Sequence, residues 1–249
     1  MIKSSIALIL SLFGLLLLPA TLGAQGADAK AKAIIERARA TVGTEDALDG
    51  LVTLRLVGTL DPADSRLPSA TILIIARKPC SQRMEIRIDD MVETTILKGR
   101  KACIVRSNLN EEASQMRHLA GPELDRVRYS TRQFFGYFRP DHRRGEQVTF
   151  EGIEPRHDQR CYKLRYQYPD GIETIRYFSL EDDRLVSTIT ENGVESVGLG
   201  TQAVGGIKFP KQIVYYEDSR QLHTITFRKV EVNQPLPAGI FDLPRSQSE

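Results

Sequence analysis

The sequence predicts an α+β, mainly β fold in which about twelve antiparallel strands form a barrel or a strongly twisted sheet. Closely spaced runs of residues alternate between apolar and polar side chains, which is the period of a half-buried strand. Helical spacing occurs near the start of the chain and again in its middle. Because a long, flat, open sheet is unusual, so many strands in succession must curl.

The first residues have the order of a signal peptide. Lys3 precedes an apolar run at residues 6–18, and small residues follow at 20–27. The apolar run of about 13 residues is shorter than the roughly 20 that a membrane-spanning helix needs. We therefore expect residues 1–24 to be removed on export and residues 25–249 to form a single domain. The alternative is an uncleaved N-terminal anchor.

Charge and cysteine content narrow the function classes. The chain has 34 basic and 32 acidic residues, and this near-neutral mixture lacks the electrostatic footprint of a nucleic-acid-binding protein. Cys80, Cys103 and Cys161 form neither a CxxC motif nor a cluster with metal-ligand spacing. Because their number is odd, at least one thiol stays unpaired. Cys103 and Cys161 lie in strand-like runs and are expected to be buried. A disulfide between Cys80 and Cys103 is the alternative.

Residues 27–47 predict an amphipathic helix at the start of the mature chain. Ala31, Ile34, Ile35, Ala38 and Val42 fall on one face at helical spacing. The charged residues, among them Arg39, are expected mostly on the other faces. Gly43 supplies the C-terminal stop.

The first group of strand-like runs follows Gly50. Residues 83–89 alternate without error, so Met84, Ile86 and Ile88 face one side and charged residues face the other. The other runs of this group, separated by turn signals, are residues 51–60, 71–77, 92–97 and 101–106. This spacing predicts an antiparallel meander.

A helical segment is predicted between the two groups of strands. Residues 111–119 can be helical, and Pro122 suits the first turn of a second helix. Apolar residues then recur along one side of that helix and end with Phe134, Phe135 and Phe138. Since large exposed apolar patches usually mark binding surfaces, we expect these phenylalanines to form the underside of a movable lid.

The second group contains seven strand-like runs, at residues 147–151, 160–168, 172–180, 184–190, 194–202, 207–216 and 222–232. If helices cover the apolar face of the sheet, a cavity lined by aliphatic and aromatic side chains follows, and such a cavity suits a lipid or acyl chain. Alternation within the runs predicts the lining residues of the sheet: Leu54, Leu56, Ile72, Ile74, Met84, Ile86, Ile88, Tyr162, Leu164 and Tyr166. The middle helix adds Phe134, Phe135 and Phe138.

The order of several short motifs resembles a known superfamily. A basic residue precedes proline at Lys78, a turn follows at residues 98–101, and the Phe-rich helix stands in the middle. The tail contains GGIKFP at residues 205–210, VEVN at 230–233 and FDLP at 241–244. In this order the motifs resemble the lipoprotein localisation factor superfamily, whose LolA-like members include outer membrane lipoprotein-sorting proteins.

The resemblance implies an unclosed β-barrel with a helical lid, located in the periplasm and acting as a monomer without a cofactor. It also implies that the acyl chain of a lipoprotein or a lipid is the ligand, and that inner- and outer-membrane proteins are partners. Lys78 stands where the carrier's lid-holding arginine is found, but it lacks the planar fork of a guanidinium.

Nothing in the sequence predicts catalysis or a metal site. His118, His142, His157 and His223 are scattered, and neither an HExxH nor a GxSxG motif occurs. We therefore expect a non-enzymatic carrier or chaperone. Two alternatives stay open. One is an envelope sensor or assembly factor that binds a protein partner, and the other is a structural protein whose cavity is filled by its own side chains.

Overall fold

The computed structural model describes residues 21–111, 114–169 and 171–244 of the 249-residue chain. Most of the predicted leader, residues 1–20, lies outside the described residues. The helices are α1 (Thr21–Val42), α2 (Glu45–Asp49) and α3 (Gly121–Gly136), with a 3-10 turn at His142–Arg144. None of the helices in this part of the chain has both the length and the apolar character needed to cross a membrane.

The strands form an extended series of hairpins. They are β1 (Thr53–Pro62), β2 (Ala70–Arg77), β3 (Ser81–Ile88), β4 (Met91–Lys98), β5 (Lys101–Asn108), β6 (Ser114–Leu119), β7 (Gln147–Arg156), β8 (Gln159–Gln167), β9 (Glu173–Ser179), β10 (Leu185–Thr190), β11 (Glu195–Leu199), β12 (Gln202–Val204), β13 (Ile207–Phe209), β14 (Gln212–Glu217) and β15 (Arg220–Val232).

Thirteen strands form one unclosed antiparallel sheet in the order β6-β5-β4-β3-β2-β1-β15-β14-β11-β10-β9-β8-β7. β6 and β7 are its two edges, and β12 pairs with β13 in a separate hairpin. The predicted mainly β, unclosed architecture with an N-terminal helix is therefore confirmed. The sheet of thirteen strands agrees with the predicted number of about twelve, and further strand segments arise because two predicted runs each divide in two. One divides at Gly200, which has a φ of 63°, and the other at Pro210, which has no N–H for the ladder.

The remaining extra strand corrects a wrong helix prediction. Residues 111–119 were expected to be helical, but Ser114–Leu119 is the edge strand β6, paired with β5. Leu119 is its one fully buried described residue, and the other side chains are polar or partly exposed. An edge strand with so little burial leaves no clear alternation in the sequence. Its pairing is provided by the neighbouring strand.

The register assigns the predicted apolar residues of β1 to β3 to one face of the sheet. Leu56 stands opposite Ile74, and Ile74 stands opposite Met84. We call this side the inner face, because α2, α3 and the β12–β13 hairpin pack on it through residues such as Leu48, Phe134 and Ile207. α1 packs on the inner face of the β7–β9 region. Helices and the two-stranded β12–β13 sheet therefore cover the apolar side.

The chain after β15 crosses the opposite, outer face. Phe241 is 2% exposed and its ring centroid lies 4.9 Å from the guanidinium carbon of Arg77. Lys98 Nζ lies 2.6 Å from a carboxylate oxygen of Asp242. Ile75 of β2 lines a groove with Leu236 and Ile240 of this segment, and Ile96 and Cys103 are also buried on the outer face. The FDLP motif therefore covers the back of the sheet.

The three cysteines are free thiols. The alternative of a Cys80–Cys103 disulfide is wrong for this structure, because the two side chains lie on opposite faces. Cys80 packs with Leu97 and Ala102, whereas Cys103 follows Ala102 along β5 and points to the outer face. Cys103 and Cys161 are both fully buried, as the sequence predicted.

Candidate ligand-binding site beneath helix α3

The predicted lining residues divide into two clusters on the inner face. The aliphatic cluster, from β1–β3, β13–β15 and α2, contains Leu54, Leu56, Ile72, Ile74, Met84, Ile86, Phe134 and Phe135 from the predicted set. The aromatic cluster, from α1 and β7–β9, contains Phe138, Tyr162, Leu164 and Tyr166 from that set. Ile88, at the end of β3, is 38% exposed and belongs to neither cluster. Residues of one strand that were predicted to share a face do share it, but alternation does not show that the strands contribute to two separate clusters.

Helix α3 contacts both clusters. Phe134 and Phe135 pack on the aliphatic cluster, and Tyr129 and Phe138 pack on the aromatic cluster. The helix ends at Gly136, after which Tyr137 and Phe138 adopt left-handed backbone angles, with φ of 40° and 73°. Non-glycine residues rarely adopt these angles. This turn separates Phe138 from the other two phenylalanines and directs it to Phe178, at a ring-centroid distance of 5.1 Å.

A buried arginine of α1 fixes the end of α3. Arg39 is 1% exposed, and its Nη1 donates to the carbonyl oxygens of Gly136 and Tyr137 at 2.9 and 3.0 Å. These are carbonyls that a helix C-terminus leaves without helical partners. Arg39 Nε and Nη2 donate to the Glu45 carboxylate at 2.9 and 2.7 Å, and Asp49 lies 3.5 Å away. The guanidinium therefore joins α1, α2 and α3.

Lys78, the predicted lid-holding residue, makes a different contact. Its Nζ donates to the carbonyl oxygen of Asp49 at 2.8 Å and lies 5.8 Å from the ring centroid of Phe135. Burial lowers the pKa of this ammonium group. The hydrogen bonds to the backbone at the end of α3 come from Arg39, which the sequence analysis placed off the apolar face. The spacing does indicate that Arg39 is buried, because it follows Ile35 by four residues and residues four apart lie on the same face of a helix.

Specific polar contacts hold α3 against the sheet. Thr131, which is fully buried, donates from Oγ1 to Gln82 Oε1 at 2.9 Å. Arg126 pairs with Glu191 at 2.9 Å near the surface. Gln133 Oε1 accepts from Nη2 of Arg176 on β9 at 2.6 Å. Arg132 also lies 3.9 Å from Glu146, so movement of α3 away from the sheet has to break these bonds together with its apolar contacts.

A cavity of about 700 Å³, with both polar and apolar lining, opens between α1, β7 and the 3-10 turn. Lys32, Glu36, Arg139 and His142 line it, and Arg39 forms part of its wall. Arg139 also pairs with the carboxylate of Glu45. The cavity therefore brings solvent next to the bonds that hold α3.

Metal-ligating side chains do not gather at this site. Within the described residues, no group of three or more His, Cys, Asp or Glu side chains could hold a metal ion. His157 lies with its Nε2 2.9 Å from Glu195, which also pairs with Arg156 in a surface turn. The site is therefore a packed interface between apolar side chains.

Two solved structures have this architecture. A DUF1329 family protein from Desulfovibrio piger matches 85% of this chain and 97% of its own, with 10% identity and a TM-score of 0.58. A LolA superfamily protein from Nitrosomonas europaea matches 85% of this chain and 96% of its own, with 14% identity and a TM-score of 0.55. The chain has a LolA-like fold.

The sequence resemblance is thus confirmed at the level of fold. No protein-family model matches the sequence, and no curated protein is significantly similar to it. Within this LolA-like fold, α3 covers the inner face, and Arg39 from α1 binds the end of α3.

Proposed function

We propose that this chain is a periplasmic carrier or chaperone that binds the acyl chain of a lipid or lipoprotein, without catalysis, between the inner face and α3. One observation carries the proposal: α3 covers part of a broad aliphatic cluster with Phe134 and Phe135, beside α2 and the β12–β13 hairpin. Those two rings are only partly buried, so they are suited to leave the cluster and let an apolar chain take their place.

The energetics support acyl binding at useful strength. Each buried CH₂ contributes about 0.8 kcal/mol, so a chain of about 16 carbons contributes about 13 kcal/mol before opposing costs. Displacing two half-buried rings and ordering the ligand offset part of this gain. Micromolar binding or better is the expected result, and it should be insensitive to salt because the contacts are apolar.

The contacts of Arg39 allow α3 to move without stranding a buried charge. If Gly136 and Tyr137 withdraw, Arg39 keeps the carboxylates of Glu45 and Asp49 as partners. An unpaired buried cation would cost several kcal/mol, and this arrangement avoids that cost. Arg39 therefore loses two hydrogen bonds and keeps its ion pairs when the lid opens.

Export and membrane partners belong to the same proposal. The predicted leader at residues 1–24 supports a periplasmic location. A carrier also needs a donor and an acceptor, and we infer that these are inner- and outer-membrane proteins.

Binding of an acylated lipopeptide, measured beside the same peptide without acyl chains, tests the proposal. Wild-type protein should bind the acylated form, and Ile86→Glu should weaken that binding at least tenfold because it places a charge beneath α3. Arg87→Glu is the matched control, since it adds a negative charge at the next, exposed position of β3. Circular dichroism checks that each variant is folded.

Equal binding of the bare peptide, or full affinity in a folded Ile86→Glu variant, would contradict acyl binding. The first outcome would favour the alternative of an envelope sensor or assembly factor that recognises a protein.

A further inference from the structure

Arg176 is a buried guanidinium on the inner face of β9. It is 6% exposed and stands between Leu164 of β8 and Thr188 of β10. Alternation along β9 puts Thr174 and Phe178 on the same face. A guanidinium stays charged in a protein. Its burial therefore costs several kcal/mol unless an anion is close by.

The surroundings of Arg176 are neutral. Nη2 donates to the amide oxygen of Gln133, and the guanidinium carbon lies 4.3 Å from the ring centroid of Tyr166 and 5.7 Å from that of Phe138. No Asp or Glu oxygen of the described chain is within ion-pair distance of Arg176. Burial raises the pKa of Tyr166 to about 12, and that of Tyr168 further. These phenols are neutral at pH 7 and supply no counter-charge.

Arg39 provides the contrast. It is as deeply buried as Arg176, yet it has the carboxylates of Glu45 and Asp49 as partners. The fold thus supplies anions to one buried arginine of the inner side and leaves the other with an amide and aromatic rings. Aromatic faces contribute about 1–2 kcal/mol each to a cation and do not neutralise it.

Two further polar groups near Arg176 are only weakly hydrogen-bonded, Tyr166 to Arg176 and Thr174 to Tyr168. The hydroxyls of Tyr166 and Thr174 are buried and have no hydrogen-bond partner of normal geometry. The two residues stand opposite each other across β8 and β9. Buried hydroxyls in native proteins nearly always have a partner, so each exception needs an explanation. A buried cation and two buried hydroxyls on neighbouring strands of one face supply the donors that an anion needs.

We propose that Arg176, with Tyr166 and Thr174, binds the anionic head group, a carboxylate or a phosphate, of an amphiphile whose acyl chain occupies the aliphatic cluster. The inference rests on the proposed acyl binding and adds the head-group chemistry. Gln133 precedes Phe134 and Phe135 on α3, so the movement that uncovers the aliphatic cluster also removes the amide from Arg176. With α3 in place, the neutral amide of Gln133 occupies the position beside Arg176 that the anion would take.

Calorimetric titration at pH 8 with oleate and with oleyl alcohol tests the inference, since these ligands share a chain and differ in head-group charge. Wild-type protein should bind oleate at least about tenfold more tightly, as a charge-assisted hydrogen bond provides. Lysophosphatidic acid compared with monooleoylglycerol extends the test to phosphate and shows which anion is preferred.

Arg176→Met should remove the preference for oleate while leaving oleyl alcohol binding unchanged. Arg228→Met, which removes an exposed arginine of β15, should retain the preference. Gln133→Ala removes the amide that any ligand beneath α3 must displace, so it should tighten the binding of both ligands, and it does not depend on the folding of Arg176→Met.

The outcomes separate the two proposals. If wild-type protein binds oleate and oleyl alcohol equally, and lysophosphatidic acid and monooleoylglycerol equally, acyl binding stands and the role of Arg176 is overturned. If none of these ligands binds, the proposed carrier function fails and the head-group site fails with it.

Discussion

The two halves of the inner face are built from different chemistry. The aliphatic cluster consists mainly of Leu, Ile and Val side chains, whose contacts are non-directional and exchangeable. The aromatic cluster combines Tyr166, Tyr168 and Phe178 with the buried charge of Arg176, and such groups require particular geometry. The difference suggests a division of labour in which the aliphatic half provides capacity for a chain and the aromatic half provides selectivity.

The covers of the two halves differ as well. The cover of the aromatic cluster is fully buried, so it is part of the hydrophobic core. It consists of the α1 residues Ala31, Ile34, Ile35 and Ala38. Phe134 and Phe135 of α3 are half-buried over the aliphatic cluster. We therefore expect α3 to move away from the inner face while α1 stays packed on the aromatic cluster.

Replacement of Arg39 should produce the largest difference between α3 and α1, because it weakens the attachment of α3 alone. Arg39→Met leaves the carbonyls of Gly136 and Tyr137 without a buried donor, and we expect a loss of about 2 kcal/mol in the free energy of unfolding. Amide hydrogen exchange should accelerate in α3 more than in α1. Arg37→Met is the control, because it removes an exposed arginine of α1 that pairs with Asp183 and should cost under about 1 kcal/mol.

Equal acceleration of exchange in α1 and α3 would show that the two covers open as one unit.

Substitutions of Phe134 and Phe138, which lie on either side of the turn at Tyr137, compare the aliphatic and aromatic clusters and should have a smaller effect. Phe134→Ser should reduce uptake of a fluorescent fatty acid more than it lowers the melting temperature. Phe138→Ser, which removes the contact with Phe178, should lower stability by about 1–2 kcal/mol and affect uptake less. If both variants lose uptake and stability in the same proportion, the two halves are one core.

Low pH should weaken the contact between Arg39 and Glu45, and this is the smallest of the effects expected here. The hydrogen bond from Arg39 lowers the pKa of Glu45 to about 2, with burial opposing and Arg139 assisting. Because the folded pKa is below the ordinary value of 4.5, this stabilisation is complete above that pH and is lost as pH falls towards 2. Since half of the Glu45 side chain is exposed, screening limits the contribution to about 1 kcal/mol or less.

Urea unfolding of wild type and Glu45→Gln between pH 6 and pH 3 measures this contribution. The two proteins should differ at pH 6 and converge at low pH. A difference that stays constant with pH would mean that Glu45 is not ionically linked to Arg39.

Much of the fold could be predicted from local patterns, because alternation such as Met84, Ile86 and Ile88 reports a half-buried strand directly. β6 could not, since its edge position leaves mostly exposed residues and its pairing depends on β5. The parity of Leu164 and Tyr166 was also predictable. Their separation from Leu54 and Ile74 depends on how α1 and α3 divide the inner face, and no single strand encodes that.

The polar residues of the site were harder to predict. Arg39 and Arg176 look like surface residues in isolation, although Arg39 follows Ile35 at helical spacing and Arg176 shares the parity of Phe178. Both were therefore detectable as charges on an apolar face. What the sequence could not supply is the partner of each, Glu45 in one case and the neutral Gln133 in the other, because those contacts depend on tertiary packing.

The pairing of β1 with β15 has a consequence for how the molecule assembles. It joins strands from opposite ends of the chain, whereas the other neighbours in the sheet are consecutive or flank the β12–β13 hairpin. Consecutive hairpins close short loops, but this seam must close a loop spanning most of the chain. A growing or translocating polypeptide can thus form two separate meanders early, and β1 keeps a bare edge until the final strand arrives. We expect this interval to be the time of greatest exposure to edge-to-edge aggregation.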